Sequence, residues 1–326
     1  MPDPEKAPAL PTVGHVPRID AHTHFLPDGY RAALGAVDPA LARLPDHSTD
    51  ALLAMMDRFE IDAAVVSVSP PGVFHGDAGQ ARELARLVNE YAAGLRRDHP
   101  GRFATLGVLP LPDVPASVAE VAHGLDELGL DGFELFSNVA GTYPGDPAWD
   151  PVLEALDARA AYVFVHPGPP PYARPLPHPD WLYEYPFEST RAIVNLVYSG
   201  AFERFPNVRW QFAHLGGTAP FLAHRIASLA IRATERTSQA PAGALAYLRR
   251  LYLDTAQADN DVALSAVLTL SPTDRVVFGT DWPYAALPRA GSDPQPGLAH
   301  LGAAVRERID GPNAAAALVP RLGAAV

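Results

Sequence analysis

The chain contains no cysteine. This absence excludes a disulfide framework, a thiolate zinc site and a cysteine nucleophile. Any metal site must therefore be built from histidine and carboxylate side chains, which suit divalent first-row metals.

The sequence also lacks long apolar runs and clusters of basic residues. No apolar stretch reaches 18 residues, so we expect no membrane span. The first residues, MPDPEKAPALPTVGHVP, have no apolar run with a basic flank and do not match a signal peptide. Acidic residues exceed basic ones by 37 to 25, which gives no electrostatic basis for binding nucleic acid or an anionic membrane. We expect a soluble cytoplasmic protein.

Apolar, β-branched runs alternate with longer helical stretches along most of the chain. Such runs are typical of parallel strands buried on both faces. Eight of them are predicted as strands: 18–25, 61–69, 102–110, 130–137, 161–167, 208–216, 251–256 and 275–283. Helical spacing predicts helices between them: 48–59, 79–97, 114–128, 146–160, 186–204, 220–233 and 259–270. The stretch 291–326 would supply the last helices.

Eight strands that alternate with helices predict a single-domain (β/α)₈ barrel over residues 18–326. Residues 1–17, rich in proline, are predicted to form a flexible N-terminal tail. The alternative is a doubly wound open sheet, but the glycine-rich phosphate loop that usually follows its first strand is absent.

Titratable residues stand where the predicted strands end, which is where barrel enzymes carry their chemistry. They are His22 and His24 on strand one, His166 on strand five, His214 on strand six, Asp254 on strand seven and Asp281 on strand eight. Two histidines at i and i+2 on a strand point the same way, so both imidazoles can reach one ion. Two histidines at this spacing, taken alone, are also compatible with ordinary polar strand residues. The polar residues at three further strand ends favour a metal site, suited to Zn²⁺ or to another divalent ion such as Mn²⁺.

Several motifs, in the same order, resemble the amidohydrolase superfamily. They are RIDAHTHF, VFVHPG, SGAFERFPNVRWQFAHLGG, PFLAHRI and FGTDWP, between Arg18 and Pro283. Within that superfamily the chain is similar to the metal-dependent decarboxylases that include aminocarboxymuconate semialdehyde decarboxylase. The stretches SVSPPG and GTYPGDPAWDPVLEAL look further like bacterial relatives of 6-methylsalicylate decarboxylase.

The resemblance implies roles for individual residues. The metal ligands would be His22, His24, His166 and Asp281, with His214 as the acid–base group beside them. Arg225 matches an arginine that reaches the substrate carboxylate of a neighbouring subunit, which implies a homodimer. Trp181 matches an aromatic residue of the substrate pocket. Strand four carries Glu134 where binuclear members have a lysine ligand, which argues for one metal.

Further residues are predicted near the barrel mouth from their position alone. His75 follows strand two, while Phe136 and Trp282 could form a wall of the substrate pocket. Asp254 is predicted to orient a ligand or a water. His47, beside a helix, is predicted to be a surface residue.

The leading prediction is non-oxidative decarboxylation of a small aromatic or unsaturated carboxylic acid, of the salicylate or muconate-semialdehyde type. The metal would act as Lewis acid, and His214 or Asp281 would transfer the proton. The same residues would also suit a metal-dependent hydrolase of a lactone or cyclic amide. A barrel without activity that serves as a binding protein is the alternative from another class.

Overall fold

A computed structural model describes residues 16–171 and 176–325. Residues 1–15 of the predicted tail lie outside the described residues, as does the loop segment 172–175.

Eight parallel strands form one sheet in the order β1 to β8. Each lies inside one of the eight predicted runs and is buried along most or all of its length. The strands are β1 (Ile19–His24), β2 (Ala63–Ser67), β3 (Phe103–Val108), β4 (Gly132–Phe136), β5 (Tyr162–His166), β6 (Arg209–Phe212), β7 (Tyr252–Asp254) and β8 (Val276–Val277).

The sheet curls round so that the chain after β8 returns to β1. The Ala21 amide donates to the Phe278 carbonyl at 2.8 Å, and the His24 amide donates to the Trp282 carbonyl at 2.8 Å. Between these two hydrogen bonds, Thr23 and Trp282 form a parallel bridge. The predicted (β/α)₈ barrel is therefore confirmed, although β8 is much shorter than the run that predicted it.

Helices connect the strands and cover the barrel. They are α1 (Asp28–Val37), α2 (Thr49–Arg58), α3 (Ala78–Asp98), α4 (Val114–Ala122), α5 (Asp150–Asp157), α6 (Glu184–Tyr198), α7 (Ala201–Arg204), α8 (Ala219–Ala227), α9 (Leu229–Arg232), α10 (Ala244–Leu248), α11 (Asp261–Leu270), α12 (Ala303–Asp310), α13 (Pro312–Ala317) and α14 (Pro320–Ala325). Among these described helices, none combines the length and hydropathy needed to cross a bilayer.

Local sequence explains why some helices were predictable. The Ser48 hydroxyl accepts from the Ala51 amide at 3.1 Å and caps α2, and the Asp77 carboxylate accepts from the Gln80 amide at 2.8 Å and caps α3. Helix α1 was not predicted. It follows Pro27, which offers no side-chain cap, and has Gly29 in its first turn.

The N-terminal end of the barrel interior is filled with apolar side chains. Ile19, Tyr162 and Phe164 are buried there. Leu318 and Leu322, from the C-terminal helical segment, pack against the same cluster and close this end. Polar chemistry is consequently left to the opposite end, where the strands terminate.

Candidate metal centre

An irregularity in β1 places two imidazoles at the C-terminal end of the barrel. The pairing of β1 with β2 shifts register between Asp20 and Thr23. His22 and His24 are both buried, and their Nε2 atoms lie 3.2 Å apart. The two side chains therefore point to the same spot, as the spacing predicted.

His166, the last residue of β5, brings a third imidazole to this spot. Its ring centroid lies 5.2 Å from that of His22 and 5.1 Å from that of His24. Nδ1 donates to the Pro167 carbonyl at 2.8 Å, so Nε2 keeps its lone pair. Burial, together with the neighbouring His24 and His22, holds the pKa of His166 well below its usual range and keeps the ring neutral.

Asp281 supplies the carboxylate just beyond β8. Its backbone has a φ of +59°, and its amide donates to the His22 carbonyl at 2.7 Å. Oδ1 lies 3.0 Å from His24 Nε2 and 3.4 Å from His22 Nε2. Burial opposes ionisation of Asp281, but the charge of His22 and the hydrogen bond of His214 hold its pKa well below the usual range. The group is therefore a carboxylate.

These four side chains fit a divalent cation. Their potential ligand atoms all lie within 4.8 Å of one another, and all four residues are buried. Among the described residues, His166 Nε2 has no hydrogen-bond partner although it is inaccessible to solvent. A buried lone pair without a donor is unfavourable, and a metal ion would satisfy it. Three nitrogens and one oxygen form a common donor set for zinc and neighbouring metals.

Asp254, at the end of β7, contacts the side of the His22 ring that faces away from the other three potential ligands. Its Oδ1 lies 3.0 Å from His22 Nδ1 and accepts from the His214 amide at 3.1 Å. Its Oδ2 accepts from Gln211 Nε2 at 2.9 Å. Because His22 Nδ1 donates to Asp254, His22 Nε2 is free to face the other three side chains. Burial lowers the pKa of His22, but Asp254 and Asp281 outweigh it and raise that pKa well above its usual value, so a metal ion would have to displace a proton from Nε2.

His214 lies on the mouth side of the group. Its Nε2 is 3.4 Å from Asp281 Oδ2, and its side chain keeps 12% of its surface exposed. The same Asp281 oxygen accepts a hydrogen bond from the Gln257 side-chain amide, a contact that sequence reasoning missed. An imidazole that is partly open and in reach of a carboxylate can exchange protons with a bound molecule.

Two other polar residues below the mouth complete the surroundings. Ser67 Oγ lies 3.4 Å from His24 Nδ1, at the end of β2. Glu134 is buried on β4, and burial raises its pKa well above the usual range. Glu134 lies outside the group of four potential ligands.

Other predicted pocket residues do not join the group of potential ligands. Phe136 pairs with His166 across β4 and β5, at the level of the imidazoles. His75 turns back to its own loop, with Nε2 3.3 Å from the Gly72 carbonyl. Trp181 is 59% exposed. Arg225 is exposed on α8 and has no ion pair within the part of the chain that the structure describes.

The prediction that His47 is a surface residue is wrong. Its ring packs 5.4 Å from that of Trp282, and the Leu26 amide donates to its Nδ1 at 3.4 Å. Its Nε2 is inaccessible to solvent and has no partner among the described residues. The loop before α2 therefore packs against the segments that follow β1 and β8, which its position beside a helix did not reveal.

A family model described as amidohydrolase matches residues 19–318. The chain belongs to the amidohydrolase family. Decarboxylase yanB of Aspergillus niger is 35% identical over 288 residues, which cover 82% of this chain and 77% of that protein. The 6-methylsalicylic acid decarboxylase acuB of Aspergillus aculeatus is 32% identical, covering 82% of this chain and 84% of that protein. The 2-amino-3-carboxymuconate-6-semialdehyde decarboxylase of Dictyostelium discoideum is 29% identical and covers 82% of both chains.

A solved structure shares the fold. The dihydroxybenzoic acid decarboxylase of Polaromonas superposes with a TM-score of 0.78 at 22% identity, covering 93% of this chain and 96% of that one. That structure contains manganese and the inhibitor 2-nitroresorcinol. The resemblance to the metal-dependent decarboxylase branch, inferred from motifs, is confirmed by these relatives.

Proposed function

We propose that this protein is a metal-dependent, non-oxidative decarboxylase of a small aromatic carboxylic acid of the salicylate type. The observation that carries the proposal is the buried group of His22, His24, His166 and Asp281, with the unpartnered lone pair of His166 Nε2. Relatives that are 32% and 35% identical are decarboxylases, one of them of 6-methylsalicylic acid.

The four buried side chains would hold one divalent ion. When bound, the ion supplies Lewis acidity toward the substrate carboxylate and an adjacent phenolic oxygen. Asp254 fixes the orientation of His22, and the Pro167 carbonyl fixes that of His166. We expect Zn²⁺ or Mn²⁺. The donor set suits both ions, and the Polaromonas structure contains manganese.

His214 and Asp281 would handle the proton. Decarboxylation replaces the bond between the ring carbon and the carboxylate with a carbon–hydrogen bond and releases carbon dioxide, so one proton must reach the ring carbon. The pair is 3.4 Å apart, and His214 is the more exposed of the two. His214 can pass a proton to a substrate that lies over the mouth, and the ionised Asp281 could do so only after receiving one from His214.

Two tyrosines would line the mouth, where Tyr284 keeps 37% of its surface exposed. Tyr284 lies 5.5 Å from His24, and Tyr185 lies 6.4 Å from His166, measured between ring centroids. Burial raises the pKa of Tyr284 to about 12 and also raises that of Tyr185, so both phenols stay neutral. Uncharged aromatic walls favour a flat aromatic substrate and strengthen polar interactions at the site.

The test is to assay the purified enzyme, loaded separately with zinc and manganese, against 6-methylsalicylate, other 2-hydroxybenzoates and small lactones. We expect carbon dioxide and the matching phenol in equal amounts, and loss of both after chelation. Lactone opening without carbon dioxide would establish the hydrolase alternative instead. Tight metal binding with no turnover of either class would favour the binding-protein alternative.

The metal is identified separately, by elemental analysis of enzyme purified without added metal and by titration of the chelated protein. One equivalent per chain is expected because the described residues form one group of potential ligands, which does not include Glu134. Two equivalents would contradict the single-metal part of the proposal.

We further propose that the enzyme works as a homodimer. Large apolar side chains are exposed on the segment before α6, on α6 itself and on α8 and α9: Trp181, Leu182, Phe187, Phe221 and Ile231. Such a surface is typical of an interface. Arg225 lies on α8 one turn after Phe221 and forms no ion pair within the described chain, so it would be available to a substrate carboxylate in the partner's site.

Complementation tests the shared site. Arg225→Ala and His214→Ala should each be nearly inactive as pure proteins. Mixed after dissociation, they should recover about one quarter of wild-type activity, because half of the dimers are mixed and each mixed dimer has one intact site. A dimer by light scattering with no recovery on mixing would place Arg225 in its own chain's site or outside the mechanism.

A further inference from the structure

A small basic cavity opens at the N-terminal end of β6, β7 and β8, away from the candidate metal centre. Its volume is about 150 Å³, and the residues that line it include Arg209, Arg250, Arg275, Asn207 and Trp210. Arg209 begins β6 and Arg275 directly precedes β8. Because all strands are parallel, these positions lie at the end of the barrel opposite His22 and Asp281.

The three guanidinium groups have no carboxylate partner among the described residues. Arg209 Nη1 donates to the carbonyls of Ala317 and Leu318. Arg250 Nη2 donates to the Pro206 carbonyl at 3.2 Å. Arg275 stacks over the Tyr252 ring at 4.5 Å. All three keep unused N–H donors, since a guanidinium carries five.

This arrangement is unusual for an acidic chain. Acidic residues outnumber basic ones by 37 to 25, and many other arginines pair with carboxylates, such as Arg159 with Asp126 at 2.7 Å. The carboxylate of Asp157 approaches the cavity but accepts from the amide and side chain of Asn207 at 2.7 and 3.0 Å. Three arginines line one cavity, and none of them forms an ion pair with a carboxylate among the described residues.

Trp210 is a lining residue of the cavity that can report on its occupancy. The residue is only 3% exposed, and its indole Nε1 is inaccessible to solvent. Its N–H is therefore a neighbouring probe of a bound ion, while the donors to such an ion come from the arginines.

We infer that this cavity binds a small oxyanion with the chemistry of inorganic phosphate. Guanidinium groups bind phosphate through paired N–H donors, and a cavity of this size holds such an ion but no large ligand. Asn207 lines the same cavity beside the arginines. The site needs neither the metal nor the proposed decarboxylase activity.

The experiment is a titration of zinc-loaded enzyme with inorganic phosphate, followed by the indole N–H signals of its four tryptophans in a ¹⁵N-correlated NMR spectrum. Trp210→Phe assigns the Trp210 signal. We expect this signal to shift saturably with phosphate and sulfate, and not with chloride at equal ionic strength. The Trp282 signal reports phosphate binding at the candidate metal centre, because Trp282 adjoins Asp281.

Matched variants test the role of the arginines. Arg275→Gln should weaken phosphate binding about tenfold or more, because a charge-assisted hydrogen bond is lost. Arg249→Gln removes the same charge one residue from Arg250, but Arg249 donates to the Leu270 carbonyl and does not line the cavity. It should change affinity by less than about twofold.

Three results would overturn the inference. These are an unchanged Trp210 signal at 20 mM phosphate, an equal shift with chloride, or equal weakening by both arginine variants. Acetate in place of phosphate separates the sources of anion: saturation by acetate alone would show a carboxylate site rather than a phosphate site.

Discussion

The two ends of the barrel handle buried polar groups in opposite ways. At the N-terminal end, Tyr162 donates to the Gln211 side-chain carbonyl at 2.6 Å, and Leu318 and Leu322 seal the apolar interior. At the C-terminal end, buried imidazoles face one another and a carboxylate, and His166 Nε2 has no partner among the described residues. Inside the barrel, the N-terminal end is satisfied by the chain itself and serves stability, and Trp210 beside the basic cavity belongs to a separate cluster. The C-terminal end is incomplete until a ligand arrives, as expected of a functional site.

A hydrogen-bonded series joins the two ends through the barrel. Tyr162 donates to Gln211, Gln211 donates to Asp254, and Asp254 contacts His22. Gln211 on β6 thus couples the apolar interior to the candidate metal centre. The series indicates how the candidate metal centre is held in place: the Asp254 carboxylate, which contacts His22, is itself bonded to Gln211 in the barrel interior.

The largest effect should come from removing a predicted ligand at the C-terminal end. His24→Ala leaves three donors around one ion, so we expect metal content near zero and activity reduced by at least about 1,000-fold. His178→Ala changes an exposed histidine near the mouth and is the control. Metal content and carbon dioxide release are measured together. Full activity in His24→Ala would end the metal interpretation.

A cavity at the N-terminal end should affect stability without affecting chemistry. Leu318→Ala removes a side chain that is 2% exposed, so we expect the free energy of unfolding to fall by about 3 kcal/mol. Val262→Ala, at 82% exposure, should change it by less than about 0.5 kcal/mol. Denaturant unfolding provides the measurement. If Leu318→Ala lost metal while still folded, the separation between the two ends would be false.

The support beneath the ligands should have an intermediate effect. Asp254→Asn keeps the shape but weakens the hold on His22 Nδ1, so metal affinity should fall by about 10–100-fold. Asp126→Asn, in an exposed ion pair, should leave affinity unchanged. Competition with a chelator of known affinity measures both. An unchanged affinity in Asp254→Asn would show that His22 is oriented by packing alone.

The fold was predictable because its signal repeats. Eight apolar runs each contain a strand, and caps such as Ser48 marked the start of α2. Two details were not predictable. Val276–Val277 is short because the chain after it leaves regular pairing and carries Asp281 at positive φ. Helix α1 lacked the capping signal that announces a helix start.

The site was predictable only where strand geometry dictates it. The sequence predicted that four side chains lie together, because parallel strands end on one side of the barrel. These are His22, His24, His166 and Asp281. The positions of Gln257 and His47 could not be predicted in this way. Both residues lie on loops, and hydrophobic periodicity does not predict the conformation of a loop. Whether a loop folds over the mouth depends on packing against residues far away in sequence, such as Trp282 against His47.

The smallest expected effect is on the pH dependence of stability and comes from His47. It tests whether this loop residue is enclosed as its packing indicates. Burial, followed by the charge of Arg31, lowers its pKa to about 4, whereas an unfolded histidine has a pKa of about 6.5. Between these values the unfolded chain binds a proton that the folded chain does not, so stability is full above pH 6.5 and falls as pH drops towards 4. From pH 7 to pH 5, wild type should lose about 2 kcal/mol more than His47→Gln, measured by urea unfolding of the chelated protein. The exposed control, His178→Gln, should follow wild type. Equal losses in wild type and His47→Gln would mean that His47 is open to solvent, and that the mouth is less enclosed than its packing against Trp282 indicates.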